Sequence, residues 1–326
     1  MRRWLTRLLW VSLVFGVVLI ATLWWLLRGS LAHLDGPLPV DGLQAPATVS
    51  RDARGVVTID AASQADAMRA LGLVHAQERY FEMDLMRRSA AGELAELFGP
   101  AAVPVDQRMR VHRLRARTHA NLAAAVGTDP LPLQAYVAGV NQGLTDLRVR
   151  PWPYLLLRQR PTPWLAEDSV LTGLAMYADL QDPGNQTELA LSRIRAVVPP
   201  ALYALIAHDG TEWDAPLFGE PTGNAALPDA SQLDLRTLHA KPGTEQEEAD
   251  VIGSNNFAVA GALTADGRAI VADDMHLGLR APGLWFRVRL RYPDPQAAGG
   301  QVDVTGFSLP GLPAVIVGSN GHVAWG

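Results

Sequence analysis

The chain has 326 residues, of which 48% are hydrophobic and none is cysteine. This length allows one or two domains with a sizeable core, and the apolar content excludes a disordered chain. The lack of cysteine excludes disulfides, thiolate metal sites and thiol nucleophiles, so a catalytic nucleophile must be an oxygen or an amine. The formal net charge of −5 is mild and argues against nucleic acid as the main partner.

The N-terminal segment has the length and composition of a membrane-spanning helix. Arg2, Arg3 and Arg7 precede an uncharged run of 20 residues over 8–27, and Arg28 closes the run. Such a run spans about 30 Å as a helix, which is the thickness of a bilayer core. We therefore predict a signal anchor over 1–28 that exports the body to the periplasm, because most of these arginines precede the run. A cleaved secretory signal is the alternative, although its apolar region is usually shorter.

Residues 29–218 are predicted to form a tether followed by a helical region. An extended tether is expected over 29–46, and the helical region over 47–218 opens with two short strands around a turn. Ser63 is a candidate N-cap for a long helix that ends before residues 99–100. Further helices are expected over about 103–126, 130–147 and 166–180.

The composition changes at residue 219. Residues 219–253 are rich in proline, glycine and acidic residues, which is typical of a spacer. Short strands and turns follow over 254–326, and helices followed by strands favour an α+β fold. The last residues resemble the middle of a strand region, so we expect the chain to be a C-terminally truncated fragment of a longer protein.

The junction between Gly253 and Ser254 has the chemistry that self-cleavage needs. A serine hydroxyl that attacks the preceding carbonyl requires a strained backbone, which glycine tolerates best. Cleavage would give Ser254 a free α-amine, and an ordinary α-amine has a pKa of about 7.7–8.0, so part of it is neutral near pH 7. The amine could then act as the base for its own hydroxyl. Gly-Ser-Asn-Asn is also a good turn sequence, so the junction alone leaves an ordinary turn open.

Seven sequence blocks occur in order over residues 47–326, outside the spacer. They are "RDARGVVTIDA", "GLVHAQERYFEMDLMRRSAAGELAELFG", "PTPWLAEDS", "GNQTELA", "GSNNFAVAG", "DDMHLGLRAPGLWF" and "SLPGLPAVIVGSNGHVAWG". With these blocks the chain resembles the penicillin acylase (penicillin amidase) family of N-terminal nucleophile hydrolases. The resemblance implies an αββα sandwich of two stacked sheets between helices, incomplete in this chain. It also implies a precursor that cuts itself between Gly253 and Ser254 into an α chain, a released spacer and a β chain, with both chains forming a heterodimer.

The resemblance also implies roles for individual residues. Ser254 would be the nucleophile of an amidohydrolase that removes the acyl group from small N-acyl substrates such as penicillins or cephalosporins. His276 matches a position where cephalosporin-type and acyl-homoserine-lactone-type members carry a histidine, which could hold a bridging water or tune the Ser254 amine. A structural histidine is the alternative at this position. Glu188 matches a position where the family can place a ligand of a structural calcium ion, with a solvated carboxylate at a helix start as the alternative, and no catalytic cofactor is expected. Met176 and Tyr177 fall near the helix that lines the acyl pocket in relatives, although ordinary core packing is an equal alternative.

Two other activities remain open at this point. The His276 pattern permits an acyl-homoserine lactone acylase, and a non-catalytic, membrane-tethered binding domain would keep the junction uncut. Asp273, Asp274 and His276 also allow a metal site, although no second histidine lies at helical spacing.

The remaining conspicuous side chains are predicted to be structural. His75 is expected to be a buried hydrogen-bonding residue, and Arg79, Arg87 and Arg88 are expected to form ion pairs. Asn255 and Asn256 should hydrogen-bond backbone around the junction. The aromatic residues expected in the core or beneath a sheet are Trp164, Trp285, Trp325 and Phe257.

Overall fold

The computed structural model describes residues 2–181, 185–216, 218–234, 236, 254–275 and 277–326. Gly253, His276 and much of the predicted spacer therefore lie outside the described residues. The chain divides into two compact units, one formed by Met1–Ala178 with Gly253–Gly326 and the other by Asp179–Ile252. Ser254 belongs to the first unit and Glu188 to the second.

Helices dominate the chain up to residue 206. Their bounds are α1 (Arg2–Gly29), α2 (Gln64–Ala91), α3 (Ala95–Phe98), α4 (Val103–Arg110), α5 (Leu114–Val126), α6 (Leu131–Thr145), α7 (Trp152–Leu156), α8 (Ala166–Asp179), α9 (Gln186–Val197) and α10 (Pro200–Ile206). Within α1, residues Arg3–Gly29 form the one helix of the described residues that is long and apolar enough to cross a membrane, a property that signal sequences share.

The strands form one large and one small sheet. Their bounds are β1 (Thr48–Arg51), β2 (Val57–Asp60), β3 (Ser254–Val259), β4 (Ile270–Met275), β5 (Phe286–Pro293), β6 (Gln301–Ser308), β7 (Val315–Ser319) and β8 (Ala324–Trp325). The large sheet has the order β1-β2-β5-β6-β7-β8, and the small sheet pairs β3 with β4. The β2–β5 pair is parallel and the other pairs are antiparallel. Helices and strands are thus combined in an α+β arrangement, as the sequence predicts.

The core of the first unit lies between the large sheet and the helices α2 and α6. Side chains alternate along β5, because successive residues of a strand point to opposite faces. The apolar set packs on the helices, while Arg287, Arg289 and Arg291 occupy the other face. Buried members of this core include Val57, Ile59, Leu71, Val74, Met83, Tyr136, Val140, Trp164, Val288 and Leu290.

Some predicted helix ends are correct and others are wrong. Ser63 caps α2, and its hydroxyl accepts a hydrogen bond from the Asp66 N–H at 3.2 Å. The helix ends earlier than predicted, because Gly92 adopts the left-handed conformation (φ 68°) that closes a helix. The predicted helix over 103–126 is interrupted where Arg113 takes a positive φ of 53°.

The backbones of α2 and α6 approach closely at glycines. A Cβ built on Gly139 would lie 2.0 Å from the carbonyl oxygen of Arg69, and one on Gly72 would lie 2.2 Å from the carbonyl oxygen of Tyr136. Any side chain at these positions would therefore push the two helices apart.

We expect Gly139→Ala to lower the free energy of unfolding by about 2–3 kcal/mol, since overpacking outweighs the gain in helix propensity. Urea denaturation measures this loss. Gly173→Ala in α8 is the matched control, because its Cβ would meet nothing nearer than Leu312 Cδ1 at 3.9 Å. Equal stability of the two variants would contradict the close approach.

Candidate active site

Ser254 is the first residue of β3 and is exposed. In the antiparallel ladder it lies opposite Met275, the last residue of β4. Asn255 and Asn256 lie opposite Asp274 and Asp273. The hydroxyl of Ser254 is thus at the end of a hairpin ladder, where solvent and small molecules can reach it.

Phe257 does not pack beneath a sheet as predicted. Its side chain is 56% exposed. Among the described strands, β3 is hydrogen-bonded to β4 alone, so this edge lacks the neighbours that would bury an aromatic ring.

A cavity of about 300 Å³ lies between β4 and the large sheet. Its lining includes Asp273, Arg287, Thr305 and Trp325. Asp273 points to the same face of β4 as Met275 and lies about 7 Å from it along the strand, since the residues are two positions apart. Oδ1 of Asp273 is buried without a hydrogen-bond partner among the described residues, and a Cβ on Gly326 would lie 1.7 Å from it. The cavity therefore offers a carboxylate and a guanidinium close to the serine strand.

The alternative metal site at residues 273–276 finds little support in the strand geometry. Asp273 and Asp274 are consecutive in β4, so their side chains leave opposite faces of the strand. No group of three potential ligands occurs among the described residues, and His276 lies outside them.

Glu188 lies in the first turn of α9, in the second unit, and is exposed. A carboxylate at this position is stabilised by the partial positive charge of the helix N-terminus. Calcium takes about six to eight oxygen ligands. Glu188 supplies only part of such a set, and the described residues hold no metal-binding cluster around it.

Residues 46–326 match the family model described as penicillin amidase. This match covers most of the chain. The chain belongs to the penicillin amidase family.

The named relatives of this chain include two kinds of acylase. Acyl-homoserine lactone acylase QuiP of Pseudomonas aeruginosa is 32% identical over 310 residues, covering 91% of this chain and 34% of that protein. Penicillin acylase 2 proenzyme of Pseudomonas sp. is 34% identical over 313 residues, covering 92% and 38%. The thermostable penicillin G acylase structure from Alcaligenes faecalis aligns with a TM-score of 0.43 and 25% identity over 53% of this chain and 96% of that chain. The chain spans about a third of the length of the curated relatives that it matches.

Among the predicted pocket residues, Met176 and Tyr177 both lie on α8. Met176 is half-buried, and the Tyr177 side chain is 62% exposed. Trp164 is a core residue as predicted, with 1% exposure, whereas Trp285 and Trp325 are half-buried.

His75 is a buried structural residue, as the sequence predicts. The Gly311 N–H donates to the Tyr136 hydroxyl oxygen at 2.8 Å, so that hydroxyl is free to donate to His75 Nδ1, also at 2.8 Å. His75 Nε2 then donates to the Ser308 oxygen at 3.0 Å, and the Ser308 hydroxyl donates to the Phe286 carbonyl at 3.0 Å. This chain of bonds assigns His75 as the neutral Nε2–H tautomer and joins α2, α6 and two strands.

Burial, and then the positive charge of Arg79, lowers the pKa of His75 from 6.5 to about 3. In the unfolded chain the imidazole is protonated below about pH 6.5. Above pH 6.5 this group therefore does not reduce the free energy of unfolding. As the pH falls from 6.5 toward 3, the unfolded chain takes up a proton that the folded protein does not, and the free energy of unfolding falls by about 1.4 kcal/mol per pH unit.

We expect His75→Asn to flatten the fall in stability between pH 6.5 and 5, although it lowers stability at neutral pH. Urea denaturation at several pH values measures the slope. The control is His322→Asn, because that side chain is exposed, and this variant should keep the wild-type slope. An unchanged slope in the His75 variant would show that this histidine does not carry the pH dependence.

A buried network of charges was only partly anticipated from the sequence. Asp84 accepts hydrogen bonds from Arg87 Nε at 2.7 Å, Arg88 Nε at 2.9 Å and the Tyr154 hydroxyl at 2.6 Å. Arg87 also pairs with Asp168 at 2.6 Å. The predicted ion pairs of Arg87 and Arg88 are thus confirmed. The two aspartates were missed, although a carboxylate on the buried face of a long helix is a signal that could have identified Asp84.

Arg79 forms no ion pair within the described part of the chain, contrary to the prediction. Its guanidinium lies 5.7 Å from the centre of the Phe286 ring and donates to the Glu78 carbonyl oxygen at 3.2 Å. The helix places it over an aromatic ring of the sheet, where a cation–π contact replaces the carboxylate.

Proposed function

We propose that Ser254 is the N-terminal nucleophile of an amidohydrolase precursor. Membership of the penicillin amidase family supports an enzyme that hydrolyses amide bonds. The observation that carries the assignment is that Ser254 opens β3 in an exposed position, at the end of the β3–β4 ladder. Met275, its partner in that ladder, directly precedes His276 in the chain.

Self-cleavage begins when Ser254 Oγ attacks the carbonyl carbon of Gly253. The peptide C–N bond breaks, the nitrogen takes up a proton, and the acyl group is held as an ester on Oγ. Water hydrolyses this ester, which leaves a carboxylate on Gly253 and a free α-amine on Ser254. The spacer that ends at Gly253 can then leave the site if it is also cut upstream.

Turnover uses the new amine as the base. It takes the proton of Oγ, directly or through a water, as Oγ attacks the substrate amide carbon. The leaving amine takes that proton, and the acyl group remains on Ser254 until water hydrolyses the ester. His276 is proposed to hold the bridging water or to tune the amine, and it acts only through Ser254.

The decisive experiment is denaturing electrophoresis of the parent protein that contains this chain. The proposal predicts two subunits, with an N-terminal read of Ser-Asn-Asn-Phe for the second. A single uncut band of full mass together with acylase activity would overturn it, and the same band without activity would favour a tethered binding domain.

An acyl-homoserine lactone acylase is the second candidate, because one of the named relatives is an acylase of that kind. The two substrate classes share the amide bond and differ in the leaving amine, which is a homoserine lactone or a β-lactam nucleus. Release of primary amine from a panel of N-acyl homoserine lactones, penicillins and glutaryl-type cephalosporins separates them.

We further propose that Glu188 is one ligand of a structural calcium ion and that α1 is retained as an anchor with the body in the periplasm. Calcium titration of the parent protein and its Glu188→Gln variant tests the first point, since equal affinities would remove Glu188 from the site. Retention of the protein in the membrane fraction after alkaline carbonate treatment, together with an N-terminal read that includes α1, tests whether α1 is kept as an anchor.

A further inference from the structure

The last turn of α1 is packed against the body of the first unit. The Val149 N–H donates to the Gly29 carbonyl oxygen at 3.0 Å. A Cβ on Gly29 would lie 2.7 Å from Val149 Cγ2, so glycine permits the close approach, and the next residue, Ser30, is buried. The loop that follows α6 therefore meets α1 at the end of its apolar run.

Exposed apolar side chains lie next to this contact. Trp152 and Leu156, at the two ends of α7, are 50% and 73% exposed. On α1, Trp24 and Trp25 are 66% and 60% exposed and precede Gly29 by about 6–8 Å along the helix axis. Tryptophan favours the interface between lipid and water, so these rings mark one level at the end of the anchor.

The same loop carries positive charge that is not paired with a carboxylate among the described residues. Residues 147–160 contain four arginines and no acidic residue, and Asp146 directly precedes them. Among the described residues, no carboxylate forms an ion pair with any of the four. The guanidinium-bearing residues are Arg148, Arg158 and Arg160, which are exposed, and Arg150, which is half-buried.

We propose that residues 147–160 form a membrane-contact surface that rests on anionic phospholipid headgroups on the side of the bilayer where α1 ends. This inference depends on the proposed retention of α1. The arginines of this surface match the phosphate groups of such lipids, and the exposed tryptophan and leucine match the boundary of the acyl chains. A soluble protein partner is disfavoured because the surface adjoins an apolar helix that can cross the membrane. The surface fixes how the first unit is oriented above the bilayer.

These 326 residues contain no cysteine, so one introduced cysteine is a unique labelling site among them and allows a direct test. A nitroxide is attached to Leu156→Cys, or to Gln159→Cys as a second site, in the full chain in phosphatidylcholine vesicles with and without phosphatidylglycerol. Collision of the label with oxygen and with a nickel chelate reports its depth. Leu263→Cys is the control, as the parent leucine is 81% exposed in the strand region.

With phosphatidylglycerol, the label at position 156 should be protected from nickel while the label at position 263 is not. The combined change Arg158→Glu and Arg160→Glu should lower the equilibrium constant of this membrane contact, read from the nickel protection at position 156, by about 25-fold or more, at about fivefold for each arginine lost. If nickel reaches the labels at both positions equally while the protein stays in the membrane fraction after alkaline carbonate, the membrane-contact surface is wrong and the anchor still holds. Equal protection without anionic lipid would overturn the choice of headgroup. Loss of α1 from the mature protein would overturn both the anchor and the surface.

Discussion

Ser254→Ala in the parent protein is expected to remain a single uncut chain and to lose acylase activity by about 10⁴-fold or more, by comparison with nucleophile deletions in other serine hydrolases. The variant lacks the hydroxyl that attacks Gly253, so the α-amine is never released. Electrophoresis and mass spectrometry measure the cleavage, and amine release measures the activity.

The matched control for this variant is Ser50→Ala, which removes an exposed serine from the edge strand β1. It should be cut and active like the wild type. Far-UV circular dichroism of the uncut variant should match that of a folded precursor, since β3 begins at an exposed residue. Cleavage between residues 253 and 254 in the Ser254→Ala protein would show that this serine does not process the chain.

Asp84→Asn is expected to lower the free energy of unfolding by about 3–5 kcal/mol, which is the usual cost of removing one partner from a buried ion pair. Asp84 is fully buried and forms ion pairs with the guanidinium groups of both Arg87 and Arg88. An amide of the same shape has no charge and offers an N–H₂ group where one carboxylate oxygen accepted a bond. Urea denaturation gives the loss.

Asp303→Asn is the control for the charge itself. Asp303 pairs with Arg289 at 2.6 Å on the outer face of the large sheet, with side chains 36% and 45% exposed. Such a pair contributes about 0–1 kcal/mol, so this variant should be nearly as stable as the wild type. Similar losses in the two variants would contradict the view that burial makes Asp84 important.

Short sequence patterns correctly predicted the elements that are determined by interactions between neighbouring residues. The serine before α2 accepts from the Asp66 N–H as a cap should, and the alternation in β5 follows from one face being buried. The interruption between α4 and α5 had no such signal, because an arginine at residue 113 takes a conformation that favours glycine. Arg113 is exposed, so burial does not explain this conformation, and the residue type gives no signal of it.

In the candidate site, too, features set by neighbouring residues were predictable from the sequence, and features set by distant residues were not. The change in composition predicted short strands after Gly253, and Ser254 is the first residue of β3. The partner of Ser254 in the ladder follows from strand register, which depends on the turn between β3 and β4 and on the neighbouring sheet. The Arg87–Asp168 pair joins residues 81 positions apart, so a local pattern could name the arginine but not its carboxylate.

The parallel pairing of β2 with β5 has a consequence for the proposed processing. In the sequence, β2 precedes residue 253 and β5 follows it. Further hydrogen bonds also join a residue before this position to one after it, from Ala61 N–H to the Arg291 carbonyl and between His75 and Ser308. A cut enzyme would keep its two polypeptides in one sheet without any covalent link. Once denaturant separated them, recovery would require a bimolecular encounter, so its yield would depend on protein concentration, whereas the uncut precursor would refold as a single molecule.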